Sequence, residues 1–306
     1  MNNLENIVFL DTNGEKIEAH GGFILHYNGT YYWYGEDRRD NSYVSCYASK
    51  DLKTWENRGA IISTTTPERQ VYAYMSLGLV NTRGGKVNLE RPKVIYNEKT
   101  RKFVMWMHFE NGIDYSVASC AIATSDYPDR EFTYHGQFRP FGHMSRDCTL
   151  FVDENNAYFI SASNDNFDLH VYRLSDDYLR AEKMVNKLFV GQLREAPAVF
   201  KKGERYYMLS SYCTGWQPNQ CKYSYSSSIE GEWSELTDIG NYNTYHSQPS
   251  FVLPINNDFY YFGDCWGGTD WEDIKDFHYD RSTYLIMKIY DINDKLFFDR
   301  DLKNEQ

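Results

Sequence analysis

The sequence predicts an all-β chain folded as one five-bladed β-propeller over residues 1–306, with antiparallel blades of three to four strands. Three observations carry this. Five segments repeat one layout, most of them with hairpin turn chemistry at the same place, and few stretches show the 3.6-residue apolar period of a helix. Aromatic residues reach 17%, with 27 Tyr, a bias that suits pleated, half-buried strands.

Each repeat opens on a polar anchor, continues through a short apolar run and a turn, and ends in an aromatic-rich run. The segments are HGGFILHYNGTYYWYGE from His20, ERPKVIYNEKTRKFVMWMH from Glu90, DCTLFVDENNAYFISAS from Asp147, EAPAVFKKGERYYMLSS from Glu195 and QPSFVLPINNDFYYFGD from Gln248. Eleven residues separate the anchor from the first aromatic after the turn in four repeats, and thirteen in the second. Asn28-Gly29, Asn155-Asn156, Lys202-Gly203 and Asn256-Asn257 supply the turns. A third strand-like run follows each hairpin, clearest in YVSCYASKDLKTW. An irregular β-sandwich, the alternative, does not explain five anchors in one register.

In a propeller the innermost strands surround the axis in the same sense, so His20, Glu90, Asp147, Glu195 and Gln248 form a ring at one end of it. Polar groups that open an inner strand cost desolvation unless they are used. Three carboxyls in one cleft push at least one pKa upward, which sets a proton donor beside a carboxylate. Glycoside hydrolysis needs that donor for the leaving oxygen and a second group for water. Taken singly, each anchor also reads as an ion-pair member, since Arg91 follows Glu90, Arg146 precedes Asp147 and Arg194 precedes Glu195. His20 either satisfies its neighbours, holds an axial water or ion, or touches substrate.

Charge and cysteines narrow the function classes. The net charge of −11 repels nucleic acid and anionic membranes but leaves a neutral sugar indifferent. The six cysteines contain no CxxC pair, so no metal site or cofactor is expected and free buried thiols are. No signal peptide or membrane-length apolar run is evident, so the expectation is a cytoplasmic protein.

The motifs AHGGFILHYNGTYYWYGE, LERPKVIYN, SRDCTLF, LREAPAVFKKGERYYMLSS, TGWQPN and SQPSFVLP resemble glycoside hydrolase family 43, within it the exo-β-1,3-galactanase branch. The resemblance runs from the first repeat to the fifth. It implies a five-bladed propeller that releases galactose with inversion from the non-reducing ends of β-1,3-galactans or their oligosaccharides. Glu195 would be the general acid, Gln248 would hold the attacking water, Glu90 would bind a sugar hydroxyl and Asp147 would tune Glu195. Most of the family opens the first inner strand with Asp-Pro, the Asp serving as base. Here that place reads Ala19-His20-Gly21-Gly22, an absence the galactanase branch shares. Position and motif add Glu36, Tyr115, Asn164, Thr214 and Trp216 as substrate contacts, with Gly215 in the same loop as the last two. No accessory carbohydrate-binding module is expected. Two alternatives stay open: an α-L-arabinofuranosidase or β-xylosidase on the same fold, which the missing Asp disfavours, and a non-catalytic sugar-binding propeller. A protein-interaction propeller of the WD or kelch kind lacks its repeat signatures.

Overall fold

Five antiparallel sheets carry the five repeats, in a computed structural model that describes residues 4–154 and 156–303. Blade one comprises His20–Tyr27, Thr30–Glu36, Ser42–Ser49 and Glu56–Ser63. Blade two comprises Asn88–Asn97, Lys102–Glu110, Ser119–Ser125 and Thr133–Phe138, and blade three Cys148–Asp153, Asn156–Ser163, Asp168–Leu174 and Ala181–Leu188. Blade four runs Arg194–Lys202, Arg205–Tyr212, Lys222–Ser226 and Thr237–Asp238. Blade five is Gln248–Ile255, Asp258–Cys265 and Thr283–Ile292, the last pairing with both Leu4–Ile7 and Lys295–Phe298. The N-terminal strand therefore closes the final blade and ties the two ends of the chain together. Helix is confined to Asp299–Lys303 and four single 3₁₀ turns among the described residues.

The five innermost strands pack in a ring, each against the next and the fifth against the first. Five apolar clusters fill the seams between blades. One joins blades one and two through Tyr34, Val44, Val94 and Met105, and another joins five and one through Trp33, Trp55, Phe251 and Tyr284. The remaining three occupy the other seams.

Turn chemistry holds where the hairpins are shortest. Tyr27 pairs with Thr30 and Ile255 with Asp258, so Asn28-Gly29 and Asn256-Asn257 are two-residue loops with positive φ at both positions. The loop of blade two is longer by two, since Asn97 pairs with Lys102. In blades three and four the expected turns are displaced by one residue. Lys202 pairs with Arg205, which makes the loop Gly203-Glu204 rather than Lys202-Gly203. Asn156 pairs with Asp153 and belongs to the strand, while Asn155 lies outside the described residues.

Four innermost strands shift register immediately after their anchors: between His20 and Phe23, Glu90 and Lys93, Glu195 and Ala198, and Pro249 and Phe251. In three of them the residue after the anchor has left-handed φ, at Gly21 (57°), Arg91 (54°) and Ala196 (51°). A bulge of this kind re-aims one side chain off the regular alternation.

Candidate active site

A cavity of about 240 Å³ opens at the anchor end, lined by Glu36, Glu90, Asp147, Glu195 and Gln248 together with Tyr115 and Trp216. Four of the five anchors therefore converge. His20 does not line it. Its ring is completely buried, with Nδ1 3.0 Å from Asp264 Oδ1 and Nε2 3.2 Å from Glu18 Oε2, and it stacks on Tyr284 at 4.5 Å. Those two carboxylates outweigh burial and raise its pKa. His20 therefore joins blade one to blade five, off the wall that the other four anchors share.

Glu195 is a carboxyl whose surroundings favour its protonated form. Burial and the nearby charge of Asp147 push it up to about 7, against the pull of Cys213, Arg91 and Gln248. Its Oε1 accepts from Gln248 Nε2 at 2.8 Å and its Oε2 from Asn166 Nδ2 at 3.1 Å. Gln248 has no freedom of assignment. Its Oε1 faces two groups that only donate, the Arg91 guanidinium and Trp266 Nε1 at 2.8 Å. Its Nε2 must then face Glu195 and Ser211 Oγ at 2.9 Å. All four hydrogen-bonding positions of this amide are thereby used within the protein.

Glu90 shows the opposite electrostatics. Burial alone would raise it, but His108, Arg38 and Tyr115 hold it down to about 2. Arg38 donates to Oε1 at 2.8 Å, Tyr115 donates to the same oxygen at 2.7 Å, and His108 Nδ1 lies 3.2 Å from Oε2. His108, buried between Glu90 and Glu110, is raised to about 9 by those carboxylates against the effect of burial. Glu36 is raised by burial, opposed by Arg38 and reinforced by Glu90. It takes Arg38 at 3.1 Å, the Arg91 backbone N–H at 3.1 Å and the Tyr279 hydroxyl at 3.3 Å.

The sequence-adjacent arginines do not pair with their anchors: Arg91, at the bulge, and Arg146 line the same cavity as Glu90 and Asp147 but reach other carboxylates. Arg91 instead bonds Asp147 at 2.9 Å across the blades. Arg146 takes Asp165 at 2.9 Å, and Arg194 turns inward to Ser210.

Three further expectations fall differently. Asn164 is exposed and off the cavity wall, whereas Asn166, two residues on, lines it. Asn164, Asp165 and Asn166 all have positive φ, a left-handed run that local sequence pattern does not reveal. Thr214 braces its own loop, donating to the Gln217 carbonyl at 2.6 Å and accepting from Asn219 at 2.7 Å. Trp216 does line the cavity, with Phe277 stacked on it at 4.9 Å and Arg38 5.4 Å from the ring centroid. Sequence reasoning missed Arg38, Arg91, His108, Asn166, Cys213 and Trp266 as lining residues. The hairpin register offered one signal, since His108 lies directly across from Glu90, as Glu36 does from His20 and Asp264 from Gln248.

Among the described residues Glu90, His108 and Asp147 bring three donor atoms within 4.8 Å of one another. Arg38 on Glu90, Arg91 on Asp147 and the raised basicity of His108 fill that corner with positive charge, which does not fit a metal cation. All six cysteines are free thiols, and Cys213 alone of them is not fully buried. No helix is long and apolar enough to cross a membrane.

Comparison with known proteins places this geometry. The family model of glycosyl hydrolases family 43 matches residues 18–248. The crystal structure of an exo-β-1,3-galactanase from Clostridium thermocellum is 42% identical, with a TM-score of 0.85 over 96% of this chain and 64% of that one. The exo-β-1,3-galactanase from Phanerochaete chrysosporium, solved with galactose, is 31% identical at a TM-score of 0.83, over 97% of this chain and 66% of that one. A family 43 β-1,3-galactosidase solved with galactodeoxynojirimycin is 30% identical at 0.82, over 96% and 97%. The chain spans less than two thirds of the length of the first two. No curated protein matches at a significant level. With its family model covering four of the five blades and the first residue of the fifth, the chain belongs to glycosyl hydrolases family 43.

Proposed function

We propose that the protein is an inverting exo-β-1,3-galactosidase that releases galactose from the non-reducing ends of β-1,3-linked galactans or galacto-oligosaccharides. The observation that carries this reading is Glu195, a buried carboxyl raised to about 7 at a sugar-sized cavity that it shares with Glu90, Asp147 and Gln248. A glycosidic oxygen leaves as an alcohol only if protonated while the anomeric C–O bond breaks. A carboxyl that keeps its proton near neutrality meets that need. Glu90, held ionised, suits acceptance of a sugar hydroxyl and stabilisation of positive charge developing at the ring. Asp147 raises Glu195 by its charge while Arg91 holds it in place.

The attacking water is assigned to Gln248, from the resemblance and from its place beside Glu195. In the arrangement described above that amide serves Glu195, so holding water requires Oε1 to release Trp266 or Arg91. The cavity is smaller than the roughly 300–1,000 Å³ of pockets for drug-sized ligands, which favours one terminal sugar over a long chain. The names and ligands of the similar structures support galactose as that sugar. A neutral saccharide is also the partner that a net charge of −11 leaves unopposed.

The test is proton NMR of the purified protein acting on β-1,3-galactobiose from the first minutes. α-Galactose appearing before mutarotation supports the reading, and β-galactose appearing first overturns inversion. Cleavage of an aryl arabinoside with none of the galactobiose would move the substrate to a pentoside.

A further inference from the structure

Asn166 sits where the reactive proton has to be. Gln248 is locked with its N–H toward Glu195 Oε1, so that oxygen must accept, and the proton of the acid form is left to Oε2. The group facing Oε2 is Asn166 Nδ2, at 3.1 Å. That arrangement suits only the ionised carboxylate, because a protonated Oε2 would meet an N–H head on. Asn166 is 6% exposed, and its side-chain carbonyl Oδ1 is buried without any hydrogen-bond partner. An orphaned buried carbonyl beside a group that gains and loses a proton calls for explanation.

We propose that Asn166 is a positioning residue for the acid, its amide donating to ionised Glu195 and turning over to accept the proton of the protonated form. Turning exchanges Nδ2 and Oδ1 in place. Oδ1 then receives the Oε2–H bond, and the proton stays on that oxygen until a glycosidic oxygen competes for it. The other neighbour tolerates both orientations. Cys213 Sγ, 3.1 Å from Nδ2, is a weak acceptor now and a weak S–H donor after the turn. The charged groups bearing on Glu195 from the surrounding strands are Asp147, Arg91 and Arg194, and the neutral Cys213 thiol also faces it; of these only Cys213 can both donate and accept, and it does so weakly. Left-handed backbone at Asn164, Asp165 and Asn166 carries this side chain to the acid, at a conformational cost that an ordinary turn would not require.

The inference rests on Glu195 being the acid, and the experiment separates the two. The side-chain amide resonances of Asn166, assigned by their loss in N166A, are followed by NMR against pH without substrate, in wild type and in E195Q. They are expected to titrate with a midpoint near 7 in wild type and to be flat in E195Q. In parallel, the alkaline limb of kcat/KM is expected to rise by about one pH unit in N166A, a tenfold change in the ionisation constant, because the carboxylate loses a charge-assisted donor. N166D should raise it further through like charge. Amide resonances that ignore pH, or variants that lose activity and thermal stability with the limb unmoved, overturn the proposal and leave Asn166 a structural residue. Full activity in E195Q would instead overturn the acid assignment, while the titration of the amide would still stand or fall by itself.

Discussion

His20 and Glu195 hold the same place in two repeats, each opening an innermost strand and each followed by a left-handed residue and a register shift. One is sealed and the other works at a cavity. His20 is completely buried between Glu18 and Asp264 and closes the ring between the first and last blades. Glu195, 8% exposed, faces Gln248, Asn166 and open space. Register delivers a side chain to the axis, and its partners decide whether it becomes a fastener or a reagent. Buried charge fully matched by opposite charge is inert, whereas buried charge beside like charge has a proton to give.

The largest effect that can break this comparison is at Glu195. E195Q is expected to lower kcat by about 10²–10⁴-fold with an unchanged melting temperature, as for loss of a general acid. H20A should do the reverse. It leaves Glu18 and Asp264 buried without their partner and is expected to cost about 3–5 kcal/mol in denaturant unfolding, with kcat of the folded protein little altered. If H20A instead abolished turnover in stably folded protein, His20 would belong with the reagents.

D147N sharpens the electrostatic half of the contrast. Burial and then Asp147 hold Glu195 up, so removing that charge should move the alkaline limb of kcat/KM below about 7 while Arg91 keeps its place through Gln248. A limb that stays put would mean burial alone sets the acid. His108 supplies a stability test. Its folded pKa, about 9, lies above the ordinary 6.5, so its contribution is fully present below 6.5 and is lost as pH rises through 9. H108Q should therefore lose most stability relative to wild type at pH 6 and least above pH 9, read from urea midpoints. The smallest effect is expected at N164G, within about 0.5 kcal/mol in stability and near wild type in turnover, because that side chain is exposed and off the cavity and glycine accepts its left-handed backbone.

Much of this was legible before any coordinates. Repeat spacing located all five innermost strands, and the anchors included four residues that share the cavity. The misses share a cause. The cavity takes Asn166 and not Asn164, because where a run of left-handed residues leads cannot be read from a local pattern. The ion pairs that Arg91, Arg146 and Arg194 offered their sequence neighbours do not form, because their partners Asp147, Asp165 and Ser210 come from other parts of the fold. His108 lay one hairpin register away from Glu90, visible only once both strands are paired.

By itself the sequence determined the blade number, the inner-strand register and the polar ring, because a two-residue strand period and short hairpin loops are local properties of the chain. Tertiary structure alone decided which ring members share a cavity and which carboxyl keeps its proton. Those outcomes depend on burial and on charges brought in from other blades: Arg91 on Asp147 and Gln248, Asp264 on His20 and Asp147 near Glu195. Electrostatic free energy is set by distance and desolvation, and neither is defined until distant strands meet.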